Sequence, residues 1–131
     1  MPSRLSMVVI GARDLPGLRR FYRSLGWPER PGASDSLAMF ELGGTVLTLH
    51  PDPLSDADAA AAGPARTHAA LTMVIACDSG DVVDDAFRAT VGVGAGVVSE
   101  PRDQPWGGRS AVVADPEGNR WELLYVPRAP G

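Results

Sequence analysis

The sequence predicts an α+β protein made of two tandem β-α-β-β-β modules. The leading observation is an internal repeat, sought first because a missed repeat misreads the whole fold. Leu5-Ser6-Met7-Val8-Val9 returns 66 positions later as Leu71-Thr72-Met73-Val74-Ile75, and Phe21 returns at the same offset as Phe87. The second observation is size: 131 residues, 44% hydrophobic and 21% charged, suit one globular domain that buries its core without disulfide or metal staples. Within a single domain covering 1–131, module 1 is expected at about 4–50, a linker at about 51–68 and module 2 at about 69–127.

Each module opens on a buried strand, because Leu5 to Ile10 and Leu71 to Ala76 are short apolar runs rich in β-branched residues. A helix follows. In module 1, Asp14 ahead of Pro16 is the predicted N-cap. Leu15, Leu18, Phe21, Tyr22 and Leu25 recur at helical spacing, and Gly26 ends the helix. In module 2, Asp81 is the predicted cap of a helix through Val82, Val83, Ala86 and Phe87, ending before Gly92, Gly94 and Gly96. Phe21 and Phe87 are expected to pack onto the sheets.

Three shorter strands are expected after each helix. The final hairpin pairs Ala111–Ala114 with Trp121–Tyr125 around Asp115-Pro116-Glu117-Gly118-Asn119, and its counterpart pairs Ala38–Phe40 with Thr45–Leu49 around Gly43-Gly44. Matching Gly44 to Gly118 sets Thr48 opposite Glu122 at an offset of 74, which implies a net insertion of 8 residues in the second copy. Pro51 to Thr67, rich in Pro, Asp and Ala, reads as the linker, with one or two helical turns over Asp56 to Ala62.

A net charge of -4 argues against nucleic-acid and anionic-membrane surfaces, which require a cationic face. The expected partner is a small molecule or another protein chain. All 12 basic residues are arginine, a bias we attribute to a GC-rich genome of bacterial type. Cys77 is the single cysteine, so neither an intramolecular disulfide nor a thiolate metal cluster is available, and a reducing cytoplasm is the expected compartment. The opening apolar run is too short for a signal peptide core or a membrane span. No Ser-His-Asp pattern, phosphate loop or paired-His motif is present.

Asp14-Leu15, Phe21-Tyr22-Arg23-Ser24-Leu25-Gly26-Trp27, Pro105-Trp106-Gly107-Gly108-Arg109 and Asp115 through Leu123 resemble the vicinal oxygen chelate superfamily, from about Leu5 to Val126. That group includes glyoxalase I, extradiol dioxygenases, fosfomycin-modifying enzymes and bleomycin-resistance proteins. The resemblance implies modules that each curl a sheet into half of an open cup, a bound metal or ligand in the concavity, and a homodimer. Metal ligands in such proteins come from the first and last strands of each module. Those positions carry over to Met7, Thr48, Met73 (or Thr72 if the strand register slips by one) and Glu122.

Of these only Glu122 is a plausible metal ligand, since divalent ions of this kind require several carboxylate or imidazole donors. Strand alternation puts Met7 with Val9, and Met73 with Ile75, on one face, so the resemblance implies an apolar cup floor. Glu122 is expected to point away from Trp121 and Leu123, as a ligand-orienting carboxylate or a general base. His50 shares the strand face of Thr48 and is the one candidate to join Glu122 in an incomplete metal site; the plainer reading is a rim histidine. His68 reads as a loop residue. Trp106 is placed at the cup mouth, as a loop tryptophan available for stacking, and Arg109 is set to pair with Glu122 or a ligand anion, or to remain on the surface. Cys77 reads as a small buried hydrophobe.

The expected function is therefore metal-independent binding of an apolar or aromatic small molecule by Met7, Val9, Thr48, Met73, Ile75, Trp106, Arg109 and Glu122, with no cofactor. The resemblance to the bleomycin-resistance branch extends this to antibiotic sequestration. The alternative is a lyase, isomerase or dioxygenase-type enzyme that uses Glu122 as general base, or with His50 to hold one divalent ion. A third reading is a ligand-free dimeric scaffold.

Overall fold

A computed structural model of the chain describes residues 1–31, 36–51 and 71–127. The chain divides into two compact units, Met1–Ala65 and Arg66–Gly131. The predicted linker helix over Asp56 to Ala62, and His68, lie outside the described residues.

Unit 1 contains β1 (Met7–Ala12), α1 (Leu15–Ser24), β2 (Ala38–Leu42) and β3 (Thr45–Pro51). The sheet order is β1-β3-β2, with β1 parallel and β2 antiparallel to β3. Helix α1 starts as expected: the Asp14 carboxylate accepts from the Gly17 N–H at 3.1 Å, and Pro16 occupies the first turn, where its missing N–H costs nothing. Gly26, at φ 82°, follows the C-cap Leu25 in the left-handed conformation that suits glycine. Leu15, Leu18, Phe21 and Tyr22 are buried along one stripe. They pack on the sheet face that carries Ile10, Phe40, Leu47 and Leu49, all buried. At the centre the Tyr22 ring stacks on Trp27 with centroids 5.3 Å apart and meets Phe40 at 6.0 Å.

The first strand expected after α1 is reduced to a single bridge, Glu29 to Phe40. Two backbone bonds flank it, Arg30 N–H to Met39 and Glu41 N–H to Pro28. Pro28 and Pro31 bracket the bridge and have no N–H to extend a ladder. Glu29 is tied to the helix instead. Arg19 donates from Nε at 2.8 Å and from Nη2 at 2.6 Å to Oε1, and Arg23 Nε donates to Oε2 at 2.5 Å.

The bond from Arg23, then that from Arg19, holds the Glu29 carboxyl below the usual carboxylate range. A carboxyl whose folded-state value is depressed stabilises the fold fully above its unfolded value of about 4.3, and that stability disappears as pH falls through the lower folded value. Urea midpoints measured from about pH 6 down to about pH 3 should therefore fall less steeply for Glu29→Gln than for the parent chain.

Unit 2 contains β4 (Thr72–Ala76), α2 (Gly80–Gly92), β5 (Gly96–Asp103), β6 (Arg109–Ala114) and β7 (Arg120–Tyr125). Its open sheet runs β4-β7-β6-β5, with β4 parallel to β7 and the other pairs antiparallel. All three strands expected after this helix are present. The cap is Ser79, not Asp81: extended backbone at Ser79 (φ -155°, ψ 168°) lets its hydroxyl accept from the Val82 N–H at 3.2 Å. Asp81 lies in the first turn, where its charge meets the positive end of the helix dipole. The core is Cys77, Val83, Ala111 and Leu123, with Ile75, Ala86, Phe87 and Tyr125 packed against it.

The two units align differently from the predicted repeat. Caps Asp14 and Ser79, fully buried helix residues Leu18 and Val83, and buried residues Ala12, at the end of β1, and Cys77, just past β4, are all 65 positions apart. In the last strands, the pairs Val9–Thr48 and Val74–Glu122 keep the offset at 74, so the net insertion is 9 residues rather than 8. The partner of Met7 is therefore Thr72, and that of Tyr22 is Phe87.

Candidate functional site: the sheet faces without a helix

One residue of register decides which side chains face away from the helices. In unit 1, Met7, Val9 and Thr48 share with Met39 the face turned away from α1, which is helix-free among the described residues, and Val9, Thr48 and Met39 stand in one row across the sheet. Met7 and Val9 are 43% and 56% exposed, whereas Thr48, on the central strand, is buried. The Thr48 hydroxyl donates to the Met7 sulfur at 3.6 Å. His50 ends the same face, exposed, with Nδ1 2.8 Å from the Pro51 carbonyl oxygen.

In unit 2, Glu122 is half-buried on the helix-free face, in a row between Val74 and Val112. Thr72 and Leu124 belong to the same face. Met73 and Ile75 do not, contrary to expectation: they pair with Trp121 and Leu123, and Ile75 packs against the α2 core. The strand is apolar on both sides, so its alternation left the facing open, and burial of Cys77 and Val83 settles it. Thr72 and Val74 take the places assigned to Met73 and Ile75. The sequence did contain a signal for this register, since Ser79 lies three residues before Val82 in a helix-cap pattern.

Arg109 also lies on the helix side, opposite in facing to Glu122. Its Nε donates to Asp84 at 2.8 Å and its Nη1 to Asp103 at 3.0 Å, and those two carboxylates, Asp84 first, push the guanidinium pKa up. Arg109 thus ties α2 to β5 and is not a partner of Glu122. A shallow cleft of about 290 Å³ beside it is lined by Asp84, Phe87, Arg88, Glu100, Pro101 and Arg109. Both of its guanidinium groups are engaged, Arg88 by Asp85.

Trp106 stands at the tip of the β5–β6 hairpin, 54% exposed, with its indole lying over buried Gly108. Burial raises the pKa of the Cys77 thiol, which disfavours the thiolate a nucleophile needs.

With the corrected register, the positions implied for metal are Met7, Thr48, Thr72 and Glu122. A thioether and a hydroxyl in unit 1, and a hydroxyl and one carboxylate in unit 2, each fall short of the several hard or imidazole donors a divalent ion requires. Among the described residues no three His, Cys, Asp or Glu side chains converge, and no helix is long and apolar enough to cross a membrane.

The β-α-β-β-β order of unit 2 and the parallel pairing of first and last strands in both units agree with comparison to known proteins. The Glyoxalase/Bleomycin resistance protein/Dioxygenase superfamily matches residues 4–123. The chain belongs to this superfamily. A glyoxalase/bleomycin resistance protein/dioxygenase family enzyme from Burkholderia phytofirmans superposes with a TM-score of 0.81 at 20% identity, covering 95% of this chain and 100% of that one. Lactoylglutathione lyase from Agrobacterium tumefaciens gives 0.68 at 25% identity, covering 95% of each. An uncharacterized protein of Mycobacterium bovis is 49% identical over 41 residues, 31% of this chain and 27% of that protein. The chain thus spans about a quarter of the length of this curated relative. Superfamily membership supports the α+β architecture and leaves the chemistry to the site, because one fold hosts many reactions.

Proposed function

We propose that the chain binds an apolar or aromatic small molecule through its helix-free sheet faces, without a metal, and that Glu122 orients the ligand. The observation that carries this reading is the row Val74–Glu122–Val112: a single carboxylate flanked by apolar side chains, with Val74 50% exposed. Apolar surface with few polar groups is the usual composition of a small-molecule site. The exposed pair Met7 and Val9 offers the same chemistry in unit 1. A ligand with an aromatic body and a hydroxyl or cationic group fits both features. Sequestration of such an antibiotic, by a homodimer, is the finer form of the proposal.

Thermal-shift measurements with aromatic natural products and with divalent metal salts test it. A ligand at about 100 times its Kd stabilises the folded state by about 2.7 kcal/mol, or several degrees for a chain of this size. Aromatic compounds should raise Tm, Val74→Asp should abolish the rise, and metal salts should have no effect. A rise with a divalent metal that Glu122→Gln removes would sink the metal-free reading. It would favour the enzyme alternative, for which the likeness to a lactoylglutathione lyase is the relevant precedent.

A further inference from the structure

We propose that Met7 is a peroxide-sensitive position, where oxidation to the sulfoxide makes the exposed apolar strip of unit 1 polar and Thr48 holds the product in place. Two observations meet here. Met7 is 43% exposed, while Thr48 beside it is only 4% exposed. The buried Thr48 hydroxyl donates to the Met7 sulfur at 3.6 Å, and a thioether is among the weakest acceptors a protein offers. A sulfoxide oxygen is a much stronger acceptor, so oxidation improves the partner of a buried donor where it would ordinarily disrupt packing. Of the other three methionines, Met39 and Met73 are half-buried, and Met1 stands in the exposed first residues, away from the strip.

The step needs only hydrogen peroxide. A sulfur lone pair attacks one peroxide oxygen, the S–O bond forms as the O–O bond breaks, and the departing hydroxide takes the remaining proton to leave as water. Sulfur is oxidised by two electrons and the peroxide is reduced by two. The three rotatable bonds of methionine then let the new oxygen turn toward the Thr48 hydroxyl. The consequence for ligand, which rests on the binding reading above, is a polar group beside Val9 and weaker affinity for an apolar molecule. Enzymatic reduction of the sulfoxide would restore the strip.

The test treats the intact chain with limiting hydrogen peroxide and quantifies sulfoxide by peptide mass spectrometry. Met7 sulfoxide should accumulate at least about five times faster than that of Met39 or Met73. Melting temperatures are then compared before and after oxidation in a Met39→Leu, Met73→Leu background carrying Thr48, Thr48→Ser or Thr48→Val. Oxidation should lower Tm by about 2 °C or less where a hydroxyl is present and by about 5 °C or more in Thr48→Val. Equal oxidation rates at the three methionines, or equal oxidation-induced shifts in Thr48→Ser and Thr48→Val, would overturn the proposal. Neither measurement uses a ligand, so failure here is separate from failure of the binding reading.

Discussion

Asp115→Ala should lower stability by about 3 kcal/mol, or roughly 10 °C in Tm for a chain of this length. Asp115 is 4% exposed and sits between β6 and β7. Its Oδ1 accepts from the backbone N–H groups of Glu117 and Asn119, each at 2.9 Å, and its Oδ2 accepts from the Asn119 side-chain amide at 2.8 Å. Two backbone bonds close the same turn, Gly118 N–H to Asp115 and Asp115 N–H to Asn119. Removing the carboxylate takes the acceptor from three partly buried donors at once, and each donor left unsatisfied carries a desolvation penalty. The turn also sets the register of β7, and therefore the facing of Glu122. Urea denaturation of Asp115→Ala and Asp115→Asn distinguishes this account from a general loop effect. Asn keeps one carbonyl acceptor for the two backbone donors but points its own NH₂ at the Asn119 amide, so it should recover about half of the loss. Equal destabilisation by the two substitutions would count against the hydrogen-bond account.

Gly108→Ala should destabilise by about 2–3 kcal/mol through overpacking. A Cβ at Gly108 would fall inside the van der Waals shells of two indole carbons of Trp106 and of the Tyr125 carbonyl oxygen. The indole can swing aside; the carbonyl belongs to the neighbouring strand backbone and cannot. Tryptophan fluorescence should therefore report displacement of Trp106 in the variant. In Gly108→Ala combined with Trp106→Ala, the indole clash is gone but the carbonyl clash persists. The double variant should be no more stable than Trp106→Ala alone by urea midpoint, and clearly less stable if the backbone contact dominates. A Gly108→Ala midpoint equal to the parent would show that the hairpin tip adjusts freely.

Both residues belong to segments, Asp115-Pro116-Glu117-Gly118-Asn119 and Pro105-Trp106-Gly107-Gly108, that join neighbouring strands. Both are turn chemistry: one neutralises stranded backbone donors with a buried carboxylate, the other uses a missing side chain to admit an indole. Their effect on any ligand is indirect, through the strands they join.

Much of this protein was legible in the sequence. The recurrence of a strand and helix announced two modules, although the match of Leu5–Val9 with Leu71–Ile75 was one residue out of register; the helical spacing from Leu15 to Tyr22 marked the buried stripe of α1, and Asp14, Gly26 and the Asp115–Asn119 turn were placed correctly. These features are local: caps, turns and apolar periodicity depend on neighbours within a few residues. What only the tertiary structure decided was facing and partnership. Met73 and Ile75 turned inward and Thr72 and Val74 outward because α2 packs Val83 against Cys77, Ala111 and Leu123, and a strand apolar on both sides carries no facing of its own. Arg109 was drawn to Asp84 and Asp103 on the helix side, so Glu122 lies between two valines without it. A one-residue shift reverses every side chain of a strand, and the packing of Val83 and Cys77 against Ala111 and Leu123, on strands far along the chain, fixes that choice.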